Sequence, residues 1–366
     1  MKLVTMKPKP SEASTVSATR GACPPELYNA PFMRACRREP TDYTPVWLMR
    51  QAGRYMQEYR QVRAKMPFLE LCKRPDLAAE VTVTAVERLG VDAAIIFADI
   101  LLILEPMGMQ LEFVAGDGPV LHNPIRTPAD VAQLQEVEPQ ALEFVMQAIT
   151  TTRAALKPYI PLIGFAGAPF TLASYMIEGG GSRNYLHTKT LMYTQAEAWH
   201  ALMALLSRNL THYLNSQIAA GAQAVQLFDS WVGNLSPTDY RTFVLPYSQA
   251  IIADLTPGVP VIHFGTGTGS LLELMREAGG DVIGVDFRVE LDHAWQRLGE
   301  VSIQGNLDPV ALYADRAYLR QRVQHILQQA GGKPGHIFNL GHGILPTTPV
   351  DNVVALVDAV HTLSSG

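Results

Sequence analysis

Two arginines separated by a glycine stand where a predicted strand gives way to a loop. Arg50 ends a short β-type run, and Arg54 follows four residues later, just beyond Gly53. Arginine is always charged, and its planar guanidinium fits a carboxylate through two parallel hydrogen bonds. Residues 31–70 hold eight Lys and Arg against four Asp and Glu, although the whole chain has a net charge of -5. The spacing indicates a local site for carboxylates, with ordinary surface arginines on a helix as the alternative.

A single carboxylate interrupts a strongly apolar segment of the chain. Asp99 is the one polar residue in the stretch 93–104. Burying such a group is costly unless it is paired or hydrogen-bonded. One interpretation is a helix N-cap or a structural ion pair. The other is a carboxylate that faces cationic or N–H groups of a ligand.

Further polar residues follow other β-type runs. His342 lies between two glycines, where it can bond to backbone, bind a carboxylate or carry protons near neutral pH. Tyr175 belongs to a segment that opens near Pro169 and runs into three glycines, and Ser230 comes directly after a strand-like run. These residue types suit hydrogen bonds to a carboxylate.

Several common functional motifs are missing or incomplete. The segment after His263 has Gly-x-Gly-x-Gly spacing, which differs from the Gly-x-Gly-x-x-Gly fingerprint of dinucleotide sites. The Gly-Lys-Ser/Thr sequence that ends a nucleotide-binding phosphate loop is also absent. His-Glu-x-x-His and other standard metal spacings are absent, as is the serine-hydrolase elbow around Ser230. The sequence therefore predicts neither a nucleotide site nor a metal site.

Alternating strand and helix patterns supply the scaffold for these residues. Most strand-like runs are almost continuously apolar, as parallel strands buried on both faces should be; they span residues 46–49, 94–98, 162–166, 224–228, 261–264, 282–285, 301–304 and 336–340. Helical patterns that end at glycine separate them. Eight such units predict a single-domain α/β fold, a (β/α)₈ TIM barrel with extra helices in its longer loops. Polar residues at the strand ends should then converge on one face.

Composition limits the class of protein. The chain has 366 residues, 48% of them hydrophobic and 17% charged, and no apolar run reaches the length of a membrane span. The negative net charge argues against a nucleic-acid surface. Three cysteines indicate a reducing, cytoplasmic setting. Residues 1–22 are polar and are predicted to be a disordered N-terminal extension, with a short transit peptide as the alternative, and residues 23–366 to form the barrel.

Several segments together closely resemble the uroporphyrinogen decarboxylase family. They are Met49-Arg-Gln-Ala-Gly-Arg54, Phe97-Ala-Asp99-Ile-Leu, Gly167-Ala-Pro-Phe-Thr-Leu with Tyr175, Leu227-Phe-Asp-Ser230-Trp and Asn339-Leu-Gly-His342-Gly. The resemblance runs from about Pro31 to the end of the chain. Departures occur at Gln57, where the family usually has proline, at Phe287, where tryptophan is common, and at Ala98, which is often serine.

The resemblance implies a cofactor-free and metal-free barrel enzyme, usually a homodimer. Its substrate would be uroporphyrinogen III, a tetrapyrrole whose acetate arms become methyls, giving coproporphyrinogen III and carbon dioxide for heme or chlorophyll synthesis. It implies catalytic roles for Asp99, Arg50 and His342 and substrate-binding roles for Arg50, Arg54, Asp99, Tyr175, Ser230 and His342. The alternatives are a corrinoid-dependent methyltransferase of the same superfamily and a non-catalytic tetrapyrrole carrier. Such methyltransferases need cysteine thiolates as zinc ligands at the barrel mouth, and this chain has no cysteine after Cys72.

Overall fold

A curled parallel β-sheet surrounded by helices forms the body of the protein. The computed structural model describes residues 24–114 and 118–365. Seven strands form the parallel sheet in the spatial order β1-β4-β5-β6-β7-β8-β9, and β2 pairs with β3 in a separate antiparallel ribbon. The strands within these residues are β1 (Ala94–Ile95), β2 (Leu111–Val114), β3 (Gly118–Leu121), β4 (Leu162–Gly167), β5 (Ala224–Asp229), β6 (Val261–Gly265), β7 (Val282–Gly284), β8 (Ser302–Gln304) and β9 (His336–Ile337).

Helices follow most strands and cover the outer face of the sheet. In the described residues they are α1 (Pro25–Tyr28), α2 (Pro31–Cys36), α3 (Gln57–Arg63), α4 (Phe68–Cys72), α5 (Pro75–Leu89), α6 (Pro128–Val131), α7 (Glu143–Ala155), α8 (Pro169–Glu178), α9 (Leu186–Thr194), α10 (Ala196–Ala220), α11 (Pro237–Phe243), α12 (Leu245–Ala253), α13 (Leu272–Ala278), α14 (Leu291–Leu298), α15 (Arg316–Ala330) and α16 (Val350–Ser364).

Local sequence explains where these elements begin and end. Every residue of β4 and β6 is buried, which fits their continuous apolar runs and their position between the barrel interior and the helices. Helices α5, α10 and α15 each end at a glycine in the left-handed conformation, namely Gly90, Gly221 and Gly331. The predicted alternation of strand and helix is therefore confirmed.

The segment predicted as the first strand closes the sheet without being a regular strand. The N–H of Trp47 donates to the carbonyl of Phe338 at 3.3 Å, and the N–H of Phe338 donates to Pro45 at 2.8 Å. On the other side, Asp92 donates to the carbonyl of Val46 at 2.8 Å. Residues 45–47 thus join the β9 edge to the β1 edge and complete the barrel.

The prediction of a strand over residues 46–49 was therefore too long. The N–H of Val46 bonds to the side chain of Asp92 at 2.7 Å, so it cannot continue a backbone ladder. Pro45 has no N–H to contribute. Four other predicted strands are also shorter than expected: 94–98 and 336–340 by three residues each, and 282–285 and 301–304 by one residue each. The β2–β3 ribbon was missed.

The bottom of the barrel is filled by a helix and an internal polar layer. Buried residues of α2, among them Phe32, pack with the interior faces of several strands. The hydroxyl of Ser302 donates to the carbonyl of Ala35 at 2.8 Å. Higher up, Trp47 Nε1 donates to Gln304 Oε1 at 2.9 Å, which ties the closing segment to β8. The interior is therefore a packed core, as expected for this architecture.

Two further observations concern the N-terminal residues and the hydrophobicity of the helices. The predicted extension over residues 1–22 lies outside the described residues, so it stays a prediction. No helix in the described part of the chain combines the length and the apolar character that a membrane crossing demands.

Candidate active site

Most of the sequence-predicted site residues lie on loops or helices that follow the carboxyl ends of parallel strands. Asp99 follows β1, Tyr175 lies in α8 after β4, Ser230 follows β5, and His342 follows β9. Arg50 follows the closing segment. Since the strands are parallel, these positions share one end of the barrel, here called the mouth.

Arg50 adopts an uncommon backbone conformation at the mouth. Its φ is 62°, in the left-handed region that non-glycine residues seldom occupy. Its side chain lies against Gly343, where a Cβ would come within 2.6 Å of Arg50 Cδ. Only a glycine at position 343 allows the guanidinium stem to cross the loop that carries His342. The strained backbone thus directs an exposed arginine across the mouth.

Asp99 has an unusually high proton affinity for a carboxyl group. It accepts a hydrogen bond from the N–H of Leu101 at 2.9 Å. Burial against apolar neighbours raises the pKa of Asp99 to about 6, against the lowering effects of the Leu101 bond and the positive charge of Arg50. The side chain keeps some contact with solvent. Asp99 is therefore ionised at pH 7 but protonates only about one unit below it.

His342 is held in one tautomer by its own loop. The N–H of Gly343 donates to Nδ1 of His342 at 2.8 Å, so the neutral ring carries its proton on Nε2. Burial lowers the pKa of His342, and the positive charges of Arg50 and Arg288 lower it further. The ring is consequently neutral at pH 7 and offers one N–H donor.

An aromatic cluster forms part of the site around Tyr175. The rings of Tyr175 and Trp231 have centroids 3.8 Å apart, and Tyr185 meets Trp231 edge-on at 5.2 Å. Burial raises the pKa of the Tyr175 hydroxyl, and the charge of Asp99 raises it further. Tyr175 therefore remains a neutral hydrogen-bond donor near Asp99.

Trp231 is fixed from below by a buried hydrogen-bond chain. The hydroxyl of Thr171 accepts a hydrogen bond from the backbone N–H of Trp231 at 3.3 Å and donates to Oδ1 of Asp229 at 3.1 Å. Asp229 is fully buried, and its Oδ2 lies 3.9 Å from Nε2 of His263. The aromatic cluster is thus anchored to β5 and β6.

The remaining two predicted residues are less closely integrated. The carbonyl of Ser230 accepts a hydrogen bond from the hydroxyl of Thr266, and its side chain is partly exposed. Arg54 is exposed, and its carbonyl accepts from Arg60 Nη1 at 2.9 Å. Within the described residues, no hydrogen bond or ion pair links either side chain to Asp99, Tyr175 or His342.

The part of the chain that the structure describes offers no candidate site for a metal ion. Among residues 24–114 and 118–365, no three His, Cys, Asp or Glu side chains group closely enough for a metal ion. Cys36 and Cys72 are both buried, and burial raises the pKa of each thiol. Neither is suited to act as a thiolate ligand.

Sequence reasoning missed two residues at the mouth, Trp231 and Arg288. Trp231 follows Ser230 directly, so its place beside a strand end was a usable signal. Arg288 lies two residues beyond Asp286 and gave no signal of its own, because its proximity to His342 depends on how β7 and β9 are arranged.

A family model described as Uroporphyrinogen decarboxylase (URO-D) matches residues 27–363. The chain belongs to the uroporphyrinogen decarboxylase family. The match includes every site residue discussed above and all strands of the barrel.

Curated relatives agree with this assignment. A uroporphyrinogen decarboxylase of Carboxydothermus hydrogenoformans is 58% identical over 340 residues, which cover 92% of this chain and 97% of the relative. One of Sorangium cellulosum is 58% identical over 335 residues, covering 91% and 96%. Similarity of this extent covers almost the full length of both proteins.

A solved structure shares the fold at much lower identity. A methyltransferase from Methanosarcina mazei superposes with a TM-score of 0.73 at 20% identity, covering 90% of this chain and 96% of that chain. The likeness confirms the barrel architecture and carries no information about chemistry.

Proposed function

We propose that this protein is a uroporphyrinogen decarboxylase that converts the acetate arms of uroporphyrinogen III into methyls, yielding coproporphyrinogen III and carbon dioxide. Family membership supports the reaction. The observation that carries the site assignment is Asp99, a carboxylate with a pKa of about 6 at the barrel mouth, electrostatically coupled to Arg50 and Tyr175.

The chemistry requires an electron sink for the decarboxylation. Proton addition to a pyrrole ring carbon makes the ring cationic, and the C–C bond to the carboxylate then breaks as its electrons flow into that ring. Carbon dioxide leaves, the exocyclic methylene takes up a proton to become a methyl, and the ring carbon loses the proton it gained. No external oxidant or reductant is required.

Asp99 is assigned to stabilise the positive charge that develops on the pyrrole ring. Its carboxylate accepts pyrrole N–H groups and offsets the cation in a site of low dielectric. Because the pKa of Asp99 is about 6, the group is mostly ionised at neutral pH. The neutral hydroxyl of Tyr175 and that of Ser230 are assigned to carboxylate arms of the substrate.

Arg50 and His342 are both assigned to carboxylate binding, and proton delivery is assigned to Arg50 before His342. His342 is neutral at pH 7, which favours a role as a hydrogen-bond donor through Nε2 over that of an imidazolium acid. Arg50 is assigned first as proton donor, together with Arg54 as a carboxylate ligand. Free deprotonation of an arginine at pH 7 costs roughly 7 kcal/mol, so water at the exposed mouth must replace the proton as it is given.

The deciding experiment is anaerobic incubation of purified protein with uroporphyrinogen III. Products are oxidised and separated by carboxylate number. Stepwise conversion to the four-carboxylate product supports the proposal. Absence of conversion by folded protein would favour the carrier, whereas zinc and corrinoid in the purified protein would favour the corrinoid-dependent methyltransferase.

Three further proposals concern the whole protein. We propose that the protein is cytoplasmic, because three cysteines are typical of a reducing compartment. We propose that it is a homodimer, because the resemblance to the uroporphyrinogen decarboxylase family implies one, and light scattering should then give twice the 40.1 kDa of one chain. We also propose that residues 1–22 are a dispensable extension of a barrel domain over residues 23–366. Deletion of those 22 residues should leave kcat/KM within about twofold, and a larger loss would assign them a role in the site.

A further inference from the structure

We propose that Arg288 binds a carboxylate arm of the tetrapyrrole and makes affinity depend on that arm. This inference rests on the proposed function and extends its carboxylate recognition to a third arginine. Arg288 follows β7, whereas Arg50 and Arg54 follow the closing segment, so the two sources of positive charge are far apart in sequence.

The loop of His342 lies between the two arginine-bearing segments. Gly341 packs so closely on the backbone nitrogen of Phe287 that a Cβ could not be accommodated there. Gly343 is crossed by the side chain of Arg50 on the other side. The charges of Arg50 and Arg288 both act on His342. The two guanidinium groups therefore flank the same part of the mouth.

Arg288 is held in a defined orientation. Its Nη1 bonds to Oδ2 of Asp286, a fully buried carboxylate that also accepts the N–H of Gly267 at 2.8 Å. The guanidinium lies 4.5 Å from the centroid of the Phe287 ring. The side chain is nevertheless 56% exposed. A fixed, exposed fork with further N–H donors is suited to bind a carboxylate in two places.

A second exposed arginine shows why this arrangement is unusual. Arg241 has the same 56% side-chain exposure and pairs with Glu277 at 2.9 Å, but Glu277 is itself 46% exposed. Such surface pairs hold their partners weakly. Asp286 is inaccessible to solvent and anchors Arg288 from beneath, which is the arrangement of a positioned ligand contact.

The substrate supplies a reason for a third arginine. Uroporphyrinogen carries one acetate and one propionate on each of its four pyrroles, so its carboxylates outnumber the guanidinium groups of Arg50 and Arg54. Fixed positive charge at the rim lowers the cost of bringing these anions together.

Arg288→Gln, with Arg241→Gln as the matched control, tests the proposal. We expect the KM for uroporphyrinogen to rise about tenfold with kcat within about twofold, as for loss of one charge-assisted carboxylate contact. The Kd of uroporphyrin, followed by its fluorescence, should rise by the same factor. The Arg241 variant should match wild type in all three.

Binding of coproporphyrin, which keeps only the propionates, identifies the arm. Weaker binding of both porphyrins assigns Arg288 to a propionate, and weaker binding of uroporphyrin alone assigns it to an acetate. Unchanged binding of both, in an enzyme whose wild type decarboxylates normally, overturns the inference. Absence of turnover by wild type would instead overturn the proposed function.

A double variant separates substrate binding from loss of structure. Arg288→Gln leaves the buried Asp286 carboxylate unpaired, and that alone could disturb the loop. Asp286→Asn combined with Arg288→Gln removes the pair together. The KM should remain about tenfold raised in the double variant. Recovery of the wild-type KM would show that Arg288 serves only to neutralise Asp286.

Discussion

Two aspartates that lie on either side of β1 show how differently the two ends of the barrel are built. Asp92, at the bottom, accepts the hydroxyl of Tyr43 at 2.8 Å, the N–H of Val46 at 2.7 Å and Nε2 of His361 at 2.8 Å. Asp99, at the mouth, accepts one N–H at 2.9 Å. The two aspartates are seven positions apart in the sequence, and the first accepts three hydrogen bonds where the second accepts one.

The contrast extends to the surroundings of each aspartate. At the bottom, Asp92 links the closing segment to α16 through its hydrogen bonds to Val46 and His361. Buried residues of α2 fill this end of the barrel. Beneath the mouth, Oδ2 of Asp229 and Oδ1 of Asp286 are buried and have no hydrogen-bond partner in the described residues. The carboxylate of Asp92 is hydrogen-bonded through both oxygens, whereas the buried carboxylates of Asp229 and Asp286 each have one oxygen that is not.

The largest effect is expected from Asp99→Asn. The variant keeps the shape of the side chain and loses its charge, so kcat should fall by about 10²–10³. Because burial disfavours the ionised form of Asp99, the melting temperature should stay the same or rise. Turnover assays and thermal unfolding of one preparation measure both. A kcat above one tenth of wild type would remove Asp99 from the centre of the mechanism.

Asp92→Asn should have the opposite profile. It weakens three hydrogen bonds at a buried carboxylate, and we expect the free energy of unfolding to fall by about 3 kcal/mol. The folded enzyme, assayed at low temperature, should keep kcat within about twofold because the change is at the far end of the barrel. Denaturant titration supplies the stability. Loss of kcat without loss of stability would show that the two ends are not independent.

Two arginines with left-handed backbone conformation allow a second comparison of the two ends of the barrel. Arg50, at the mouth, has φ 62°, and Arg38, near Gly335 at the bottom, has φ 57°. Replacement of either by glycine should relieve backbone strain and raise the free energy of unfolding by up to about 1 kcal/mol.

Activity should separate the two variants. Arg50→Gly should lower kcat/KM at least about tenfold, and Arg50→Lys should also lose activity because it lacks the planar fork. Arg38→Gly should retain full activity, since the ion pair that Arg38 makes within the described residues is with the exposed Glu300. Equal losses in the two glycine variants would mean that backbone strain, and not the guanidinium, is what the site needs.

The smallest predicted effect is a pH dependence confined to the mouth. The pKa of Asp99 is about 6, so kcat/KM should fall about tenfold per unit below pH 6 as the carboxylate protonates. The folded state binds this proton more tightly than the unfolded chain does, so this group costs no stability as the pH falls from 7 to 5.5. The residual activity of Asp99→Asn should lack the acidic limb of the wild-type profile.

Sequence reasoning succeeded where a pattern is local. The glycine ends of α5 and α15 and the buried apolar runs of β4 to β6 could be read directly, because each follows from backbone conformation or burial within a few residues. The closing segment was less predictable. Its pairing with Phe338 and Asp92 joins residues that lie far apart in the chain.

The candidate site shows the same limit. Asp99 and the paired arginines stood out because their types conflict with their neighbours or repeat at short spacing. Arg288 did not stand out, since its significance comes from Asp286 beneath it and His342 beside it. A residue whose proposed role depends on a loop that is distant in the sequence has no signature of its own.

The closing segment also bears on how the protein is made. Residues 45–47 reach their partners only when Phe338 is available, and Asp92 gains its third donor only from His361. During synthesis on the ribosome, residues 45–47 therefore cannot form these hydrogen bonds until almost the whole chain has emerged. Arg50 lies three residues after that segment, so a partly synthesised chain has no assembled mouth with which to capture a reactive tetrapyrrole.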